Sequence, residues 1–343
     1  MPADNRFVKG LHVAAPGPAD VNAVIPFIRD ELAAEGVNTL VMEFHYMYAF
    51  ESVPELAMPN SVGAAELGRI AEACADSGIR LIPQLNCLGH QSWKEKTFPL
   101  LEKHPEFDEA PGTDTASPDF YCRSWCPLHP EVHGVVFLLM DEIAAACKAT
   151  AFHIGMDEVF IIADNGCPRC KGKDPAELFA GETLVLYKHL AAAGLETWMW
   201  GDRFINGALW GISKWDAARN GTHPAVDAVP EDIVVCDWHY SGEPPPATPY
   251  FFAGKGFRVV ACPWREGNVA LAQLEMILDI RGSRNKQFAS KGLGMLQTTW
   301  CEFRNFIRGY KGELVGDDKA HAQALESAAC FKTLFAQMRQ LGL

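Results

Sequence analysis

Residues 151–162 read AFHIGMDEVFII: a five-residue apolar run closed by Gly155 and Met156, two adjacent carboxylates at Asp157 and Glu158, and a second apolar run from Val159. A short apolar stretch that ends abruptly in glycine and charge is the pattern of a strand buried on both faces, with chemistry at its C-terminal end. The same pattern recurs along the chain. Counting Ala151 to Gly155, eight such runs stand out: Gly10 to Ala15, Thr39 to Phe44, Arg80 to Asn86, Glu196 to Gly201, Ile233 to Trp238, Arg258 to Pro263 and Gly294 to Trp300 are the others. Between them lie stretches of helical spacing, Val21 to Glu35, Ala64 to Ser77, Pro130 to Lys148, Pro175 to Ala193 and Ala270 to Ser283. Gly36, Gly78 and Gly194 each stand where a helix closes on a left-handed residue before the next strand.

Eight βα units predict an α/β fold in which a parallel sheet closes into a single (β/α)8 TIM barrel. The open, doubly wound alternative wants a glycine-rich phosphate loop after its first strand, and HVAAPGP is not one. The 343 residues suit one such barrel spanning 1–343, with the final helical stretch 319–343 packed on its outside. No linker, internal repeat or low-complexity tract divides the chain.

A formal net charge of −13 argues against a nucleic-acid partner, which needs clustered Lys and Arg. No apolar run has the length of a membrane span or of a secretory leader at the N-terminus. The eleven cysteines are odd in number and most sit in apolar segments, as small buried hydrophobes do. Together these features predict a cytoplasmic location. Cys167 and Cys170 form a C-P-R-C pair, and Cys122 and Cys126 a second pair. A four-cysteine zinc site is compatible with these spacings, although each pair stands alone and plain loop thiols are the simpler reading.

Active sites of (β/α)8 barrels lie at the C-terminal ends of the strands. Here those ends carry Glu43, His45 and Tyr46; Asn86 and His90; Asp157 and Glu158; Trp200 and Asp202; Trp238, His239 and Tyr240; Trp264, Arg265 and Glu266; Trp300 and Glu302. Barrel interiors favour branched aliphatic residues, so four tryptophans at four late strand ends point to a sugar pocket. Flat apolar faces stack on pyranose C–H surfaces while carboxylates hold hydroxyls. Adjacent carboxylates repel, which raises one pKa toward the range of a general acid. Consecutive strand residues point to opposite faces, so Asp157 and Glu158 reach one ligand only if the strand has ended or bulged by Met156.

The segment FHIGMDEV resembles the H-x-G-x-D-E-V signature of glycoside hydrolase family 20, the exo-acting β-N-acetylhexosaminidases. LGHQ around His90 is similar to the family's P-G-H element, and Trp300-Cys301-Glu302 to its W-x-E element. The matches fall in the right order and cover strands three to eight. With no room for the family's extra N-terminal domain, the chain looks like a short, barrel-only member of the hexosaminidase D type.

The resemblance implies substrate-assisted hydrolysis, in which the 2-acetamido oxygen of the sugar is the nucleophile. Glu158 is then the acid/base, Asp157 orients the acetamide, and His90 and His153 support them. Trp300 makes a floor, Glu302 accepts from outer hydroxyls, and Trp200, Trp238 and Trp264 wall the acetamide. Tyr240, with Asp202 beside it, is the expected donor to the acetamide oxygen. The substrate implied is a small oligosaccharide or glycoconjugate with a terminal N-acetylhexosamine; neither metal nor cofactor is expected, and homodimerisation is left open.

Two departures from the family pattern bear on specificity. The first strand lacks the family's arginine, with Arg265 or the His45/Tyr46 pair as candidates to replace it. The second lacks the H-x-x-D reading, which Glu43 is expected to fill in part. The long stretch from Gln91 to Pro127 is expected to cover the aglycone side. The competing readings are a direct carboxylate nucleophile (Glu43, Glu266 or Glu302) acting on a sugar without an acetamide, and a barrel that only binds sugar. A zinc hydrolase is disfavoured by the lack of H-x-H or H-E-x-x-H spacing.

Overall fold

The computed structural model describes residues 6–94, 96–118, 120–314 and 318–343. Eight strands form a closed, wholly parallel barrel: β1 (Val8–Ala14), β2 (Thr39–Glu43), β3 (Arg80–Cys87), β4 (Ala151–Gly155), β5 (Glu196–Trp200), β6 (Val234–Trp238), β7 (Arg258–Cys262) and β8 (Gly292–Glu302). Each strand pairs with its sequence neighbours, and β8 closes on β1. The apolar runs of the sequence become strands because each is packed inside against the barrel and outside against helices, where both faces of the pleat shed water.

The helices keep their expected places with edges moved by a few residues. The first is continuous from Val21 to Glu35 but takes π-helical geometry over Phe27–Leu32. The helix Pro175–Ala192 shows why such boundaries form. Asp174 caps it by accepting from the Ala176 N–H at 2.8 Å, Pro175 starts it, and Gly194 follows it at φ 74°. The C-terminal helix Lys319–Gln340 packs on β8 and on the helices Gly267–Gly282 and Phe303–Lys311.

Two ladder irregularities sit beside the mouth. One lies in β3, between the pairs Gln84–His153 and Cys87–Gly155; the other separates His12–Thr298 from Ala14–Glu302 in the β1/β8 ladder. Bulges at a barrel rim re-aim side chains, and here they precede His90 and surround Trp300. At the closing seam Gly294 lies so near β1 that a Cβ would stand 2.2 Å from the Val8 carbonyl oxygen, so only glycine fits.

The barrel interior is more aromatic than the usual aliphatic layers. Trp198, Trp200 and Trp238 pack there with Val41, Ile82, Val234, Val260 and Leu296, and Tyr240 and Trp300 lie against them.

Candidate active site

β4 ends at Gly155, and the backbone then turns through three left-handed residues, Gly155 (φ 69°), Met156 (φ 74°) and Glu158 (φ 49°). Such conformations cost energy for residues with a Cβ and persist where surrounding contacts enforce them. Here they break the alternation of the strand, as the sequence required, and bring both carboxylates to the same side. His90 Nε2 lies 3.2 Å from Asp157 Oδ2 and 3.3 Å from Glu158 Oε2.

Contacts on every side hold this turn. The Glu158 N–H donates to Asp202 Oδ2 at 2.9 Å, and Cys122 Sγ lies 3.6 Å from the Glu158 carbonyl oxygen. A Cβ on Gly89 would stand 3.0 Å from the Asp157 carbonyl oxygen, so the loop bearing His90 seats directly on the turn.

The electrostatics differ from simple repulsion between neighbouring carboxylates, because an imidazole stands between them. Burial opposes charging of His90, but the Asp157 charge and hydrogen bonds to Asp157 and Glu158 outweigh it and hold the imidazolium well above its ordinary pKa. Burial likewise opposes ionisation of Asp157, and the charge and hydrogen bond of His90 overcome it, so its pKa falls. Asp157 is 6% exposed; Oδ2 meets His90, whereas its other oxygen, Oδ1, is buried without a hydrogen-bond partner.

Around this pair the aromatic residues form a layered wall. Trp300, left-handed at φ 50°, donates from Nε1 to the Tyr240 hydroxyl at 2.7 Å. Trp238 stacks on Tyr240 with ring centroids 4.9 Å apart, and its Nε1 reaches Asp202 Oδ1 at 3.3 Å. Trp264 meets the edge of Tyr240 at 5.1 Å. Trp200 lies one layer below: it is 0% exposed and packs on His153 at 4.4 Å and Trp300 at 5.5 Å. It supports the floor instead of lining the mouth.

His153 accepts from the Gly155 N–H at Nδ1, which puts its proton on Nε2, and burial holds its pKa far below the ordinary value. It is a neutral prop for the turn.

Three residues singled out from sequence have their side chains committed elsewhere, and a fourth stands exposed. Asp202, besides holding Glu158 and Trp238, accepts from the buried Arg203 guanidinium at 2.6 Å. It positions the site, and burial, only partly offset by Arg203, lifts its carboxyl to about 6. Tyr46 is buried and donates to Gln91 Oε1 at 2.5 Å, while Gln91 Nε2 holds the carbonyls of Asn86 and Gly89. Arg265 lies 3.8 Å from the centre of the Trp264 ring and pairs with Glu326 at 3.1 Å, on the outer helix. Glu302 is exposed just before the helix Phe303–Lys311.

Glu43 does face the mouth. It accepts from Asn86 Nδ2 at 2.7 Å, and burial pushes its carboxyl up to about 7.

Sequence reasoning passed over two residues. His12 projects inward from β1, 3.7 Å from Glu43 and 4.7 Å from the Trp300 ring, and burial lowers its pKa to about 4, so it is neutral. Its inward register among apolar neighbours was the available signal. Tyr121, in the stretch 91–127, meets the rings of His90 at 5.9 Å, Trp93 at 5.0 Å and Trp215 at 4.9 Å. Burial and then the Glu158 carboxylate raise its phenol pKa. Nothing in its local sequence marks it.

The barrel is similar to several solved structures. A chitobiase of Flavobacterium johnsoniae superposes with a TM-score of 0.64 at 17% identity, over 98% of this chain and 52% of its own. An exo β-N-acetylglucosaminidase of Vibrio harveyi, solved with N-acetylglucosamine, does so with a TM-score of 0.58 at 16% identity, over 98% and 57%. Dispersin B matches at 0.54 and 15% identity, with 96% of each chain covered. This chain therefore spans about half of the chitobiase, and nearly all of dispersin B. No curated protein matches the sequence significantly. The family model described as glycosyl hydrolase family 20, catalytic domain, matches residues 57–266, which is more than half of the chain and includes His90 and the Asp157–Glu158 turn; the chain belongs to that family.

Proposed function

We propose that the protein is an exo-acting β-N-acetylhexosaminidase that removes terminal β-linked N-acetylglucosamine or N-acetylgalactosamine with retention of configuration, the substrate's own acetamide serving as nucleophile. The observation that carries this reading is Asp157: its Oδ2 is fixed by His90, and its Oδ1 is buried and unpartnered. A buried carboxylate oxygen beside an aromatic wall calls for a donor, and the acetamide N–H of such a sugar supplies one.

In this scheme the acetamide carbonyl oxygen attacks the anomeric carbon while Glu158 gives its proton to the leaving glycosidic oxygen. The C–O bond breaks, a cyclic oxazolinium forms, and Asp157 faces its positive charge. Glu158 then takes a proton from water as water reopens the ring at the anomeric carbon. Tyr240 accepts from Trp300, so its own proton is available to the acetamide oxygen. Trp238 and Trp300 bound the sugar, Glu43 and Asn86 accept and donate at the edge nearest β1 to β3, and Trp93, Tyr121 and Trp215 flank the aglycone.

The test is hydrolysis of aryl β-glycosides of N-acetylglucosamine, N-acetylgalactosamine, glucose and galactose. Only the N-acetyl sugars should turn over. Glu158→Gln and Asp157→Asn should each lower kcat by about 10²–10⁴, the range of positioned acid–base groups. Equal turnover of plain glucosides, or an Asp157→Asn variant with the wild-type rate, overturns the acetamide mechanism.

A further inference from the structure

Two groups of ligand-type side chains converge among the described residues: His90 with Asp157 and Glu158, which is the site above, and Glu109 with Cys126, Cys167 and Cys170. The second group takes no part in the proposed hydrolysis. All four of its members are buried, with ligand atoms within 4.8 Å of one another. Cys126 Sγ lies 3.5 Å from Cys170 Sγ and 3.5 Å from Cys167 Sγ. Cys122, the remaining thiol of the two sequence pairs, points instead to the Glu158 carbonyl, and Glu109 completes the group.

Glu109 is the telling member. It is 0% exposed; Oε1 accepts from the Asp164 N–H at 3.1 Å, and Oε2 is buried with no partner. The Cys167 and Cys170 thiols stand beside it, weak donors, so a cation that turns them into thiolates and meets the carboxylate satisfies the whole group at once. The thiols are arranged to match. Cys167-Pro168-Arg169-Cys170 forms a tight knuckle in which the Cys167 N–H donates to the Asp164 carbonyl at 3.1 Å and the Cys170 N–H to Cys167 Sγ at 3.4 Å. Zinc with Zn–S bonds of about 2.3 Å in a tetrahedron sets S···S near 3.8 Å, so the observed sulfurs need to spread only a few tenths of an ångström.

We propose that Cys126, Cys167, Cys170 and Glu109 together bind one structural Zn²⁺. Three thiolates and a carboxylate close the tetrahedron and leave no position for substrate, which makes the ion a fastener, not a catalyst. Binding releases the thiol protons. The ion joins two segments that frame the mouth. Glu109 and Cys126 lie on the stretch after β3, linked by the Glu109 N–H to the Ser124 carbonyl at 3.0 Å and the Cys126 N–H to the Phe107 carbonyl at 2.6 Å, and the same stretch carries Tyr121. Cys167 and Cys170 lie on the segment after β4, which carries Asp157 and Glu158.

The experiment is metal analysis by native mass spectrometry on untagged full-length protein, purified without chelator from zinc-supplemented medium. One zinc per chain is expected, and less than a tenth of that in Cys167→Ser/Cys170→Ser. Glu109→Gln should bind zinc at least roughly 10-fold more weakly, since loss of even an outer-shell partner of a metal ligand costs about 10- to 100-fold. Wild-type protein stripped of metal should melt at a lower temperature, and Zn²⁺ but not Mg²⁺ should restore it. Added to that stripped protein, Co²⁺ should give the visible bands of a tetrahedral ion with thiolate charge-transfer in the near ultraviolet. The cobalt spectrum of the wild type decides the matter alone should the variants fail to fold. A wild-type chain that holds neither zinc nor cobalt, or whose mass shows two of these cysteines oxidised to a disulfide, overturns the proposal.

Discussion

The two ends of the barrel are built on opposite principles. At the N-terminal end Glu196 is satisfied on both oxygens: Oε1 accepts from Arg258 at 2.5 Å, and Oε2 from Arg80 and from Trp198 Nε1, both at 2.8 Å. Burial works against its charge, but the Arg258 and Arg80 guanidinium groups outweigh it and lower its pKa. At the C-terminal end left-handed backbone gathers at His45, Leu88, His90, Met156, Glu158 and Trp300, and Asp157 Oδ1, His153 Nε2 and Trp200 Nε1 are buried without partners. The Glu196 carboxylate is complete in itself; at the other end Asp157 Oδ1 awaits a donor from a ligand. This is the division of labour of (β/α)8 barrels, with stability at one face and chemistry at the other, expressed as unmet hydrogen bonds and backbone strain.

The sharpest way to break the contrast is to disturb the mouth through a residue that never touches substrate. Asp202→Asn removes the charge that faces Arg203 and sets an amide N–H₂ against the donors it now receives. We expect kcat on an N-acetyl glycoside to fall about 10- to 100-fold, since misplacing an acid/base group by an ångström costs that much. Steady-state kinetics read it, and an unchanged kcat removes Asp202 from the positioning role.

The converse change, Glu196→Gln, strands two guanidinium groups at the other end. It should destabilise the fold by roughly 1–3 kcal/mol, as the loss of a partly buried acceptor does, and leave kcat within about twofold at a temperature where the variant is folded. Denaturant unfolding beside the activity assay checks both halves. A large loss of activity in folded protein would show that the ends are coupled.

The smallest effect is in pH, where the two ends have opposite signs. The pKa of Glu196 is lowered on folding, so its contribution is present above the unfolded value of 4.5 and lost as pH falls through the folded one. That of Glu43 is raised to about 7, so the folded state holds a proton that the unfolded state has released, and stability falls as pH rises from about 4.5 to 7. Glu43→Gln should flatten that fall. A pH series of denaturation midpoints showing the same slope in both proteins would remove Glu43 as its source.

All eight strands and the position of the Asp157–Glu158 turn were legible in the sequence. Strands buried on both faces leave uninterrupted apolar runs, and a glycine followed by two acids cannot continue such a run. That the strand breaks by Met156 was legible too, since only a break in alternation lets Asp157 and Glu158 share a ligand; the left-handed backbone that makes the break was not. What escaped were relations set by distant partners. Arg265 stands at a strand end like its neighbours, yet Glu326 on the C-terminal helix draws it away. Tyr46 turns inward because Gln91 waits for it. The cysteine pairs at 122/126 and 167/170 were visible, but which thiol drops out and which carboxylate replaces it depends on how two loops fold over each other. Spacing does not encode that.

The seam between β1 and β8 joins the first strand of the barrel to the last, and at Gly294 the Val8 backbone leaves no room for a Cβ. Trp300 rides on that last strand, so any chain whose seam is open has the carboxylate turn without the Trp300–Tyr240 wall beside it. Recovery of hydrolysis during refolding therefore times barrel closure itself, a pairing whose large sequence separation makes it entropically slow. A Gly294→Ala chain, whose Cβ meets the Val8 backbone, should re-form its helices without regaining activity.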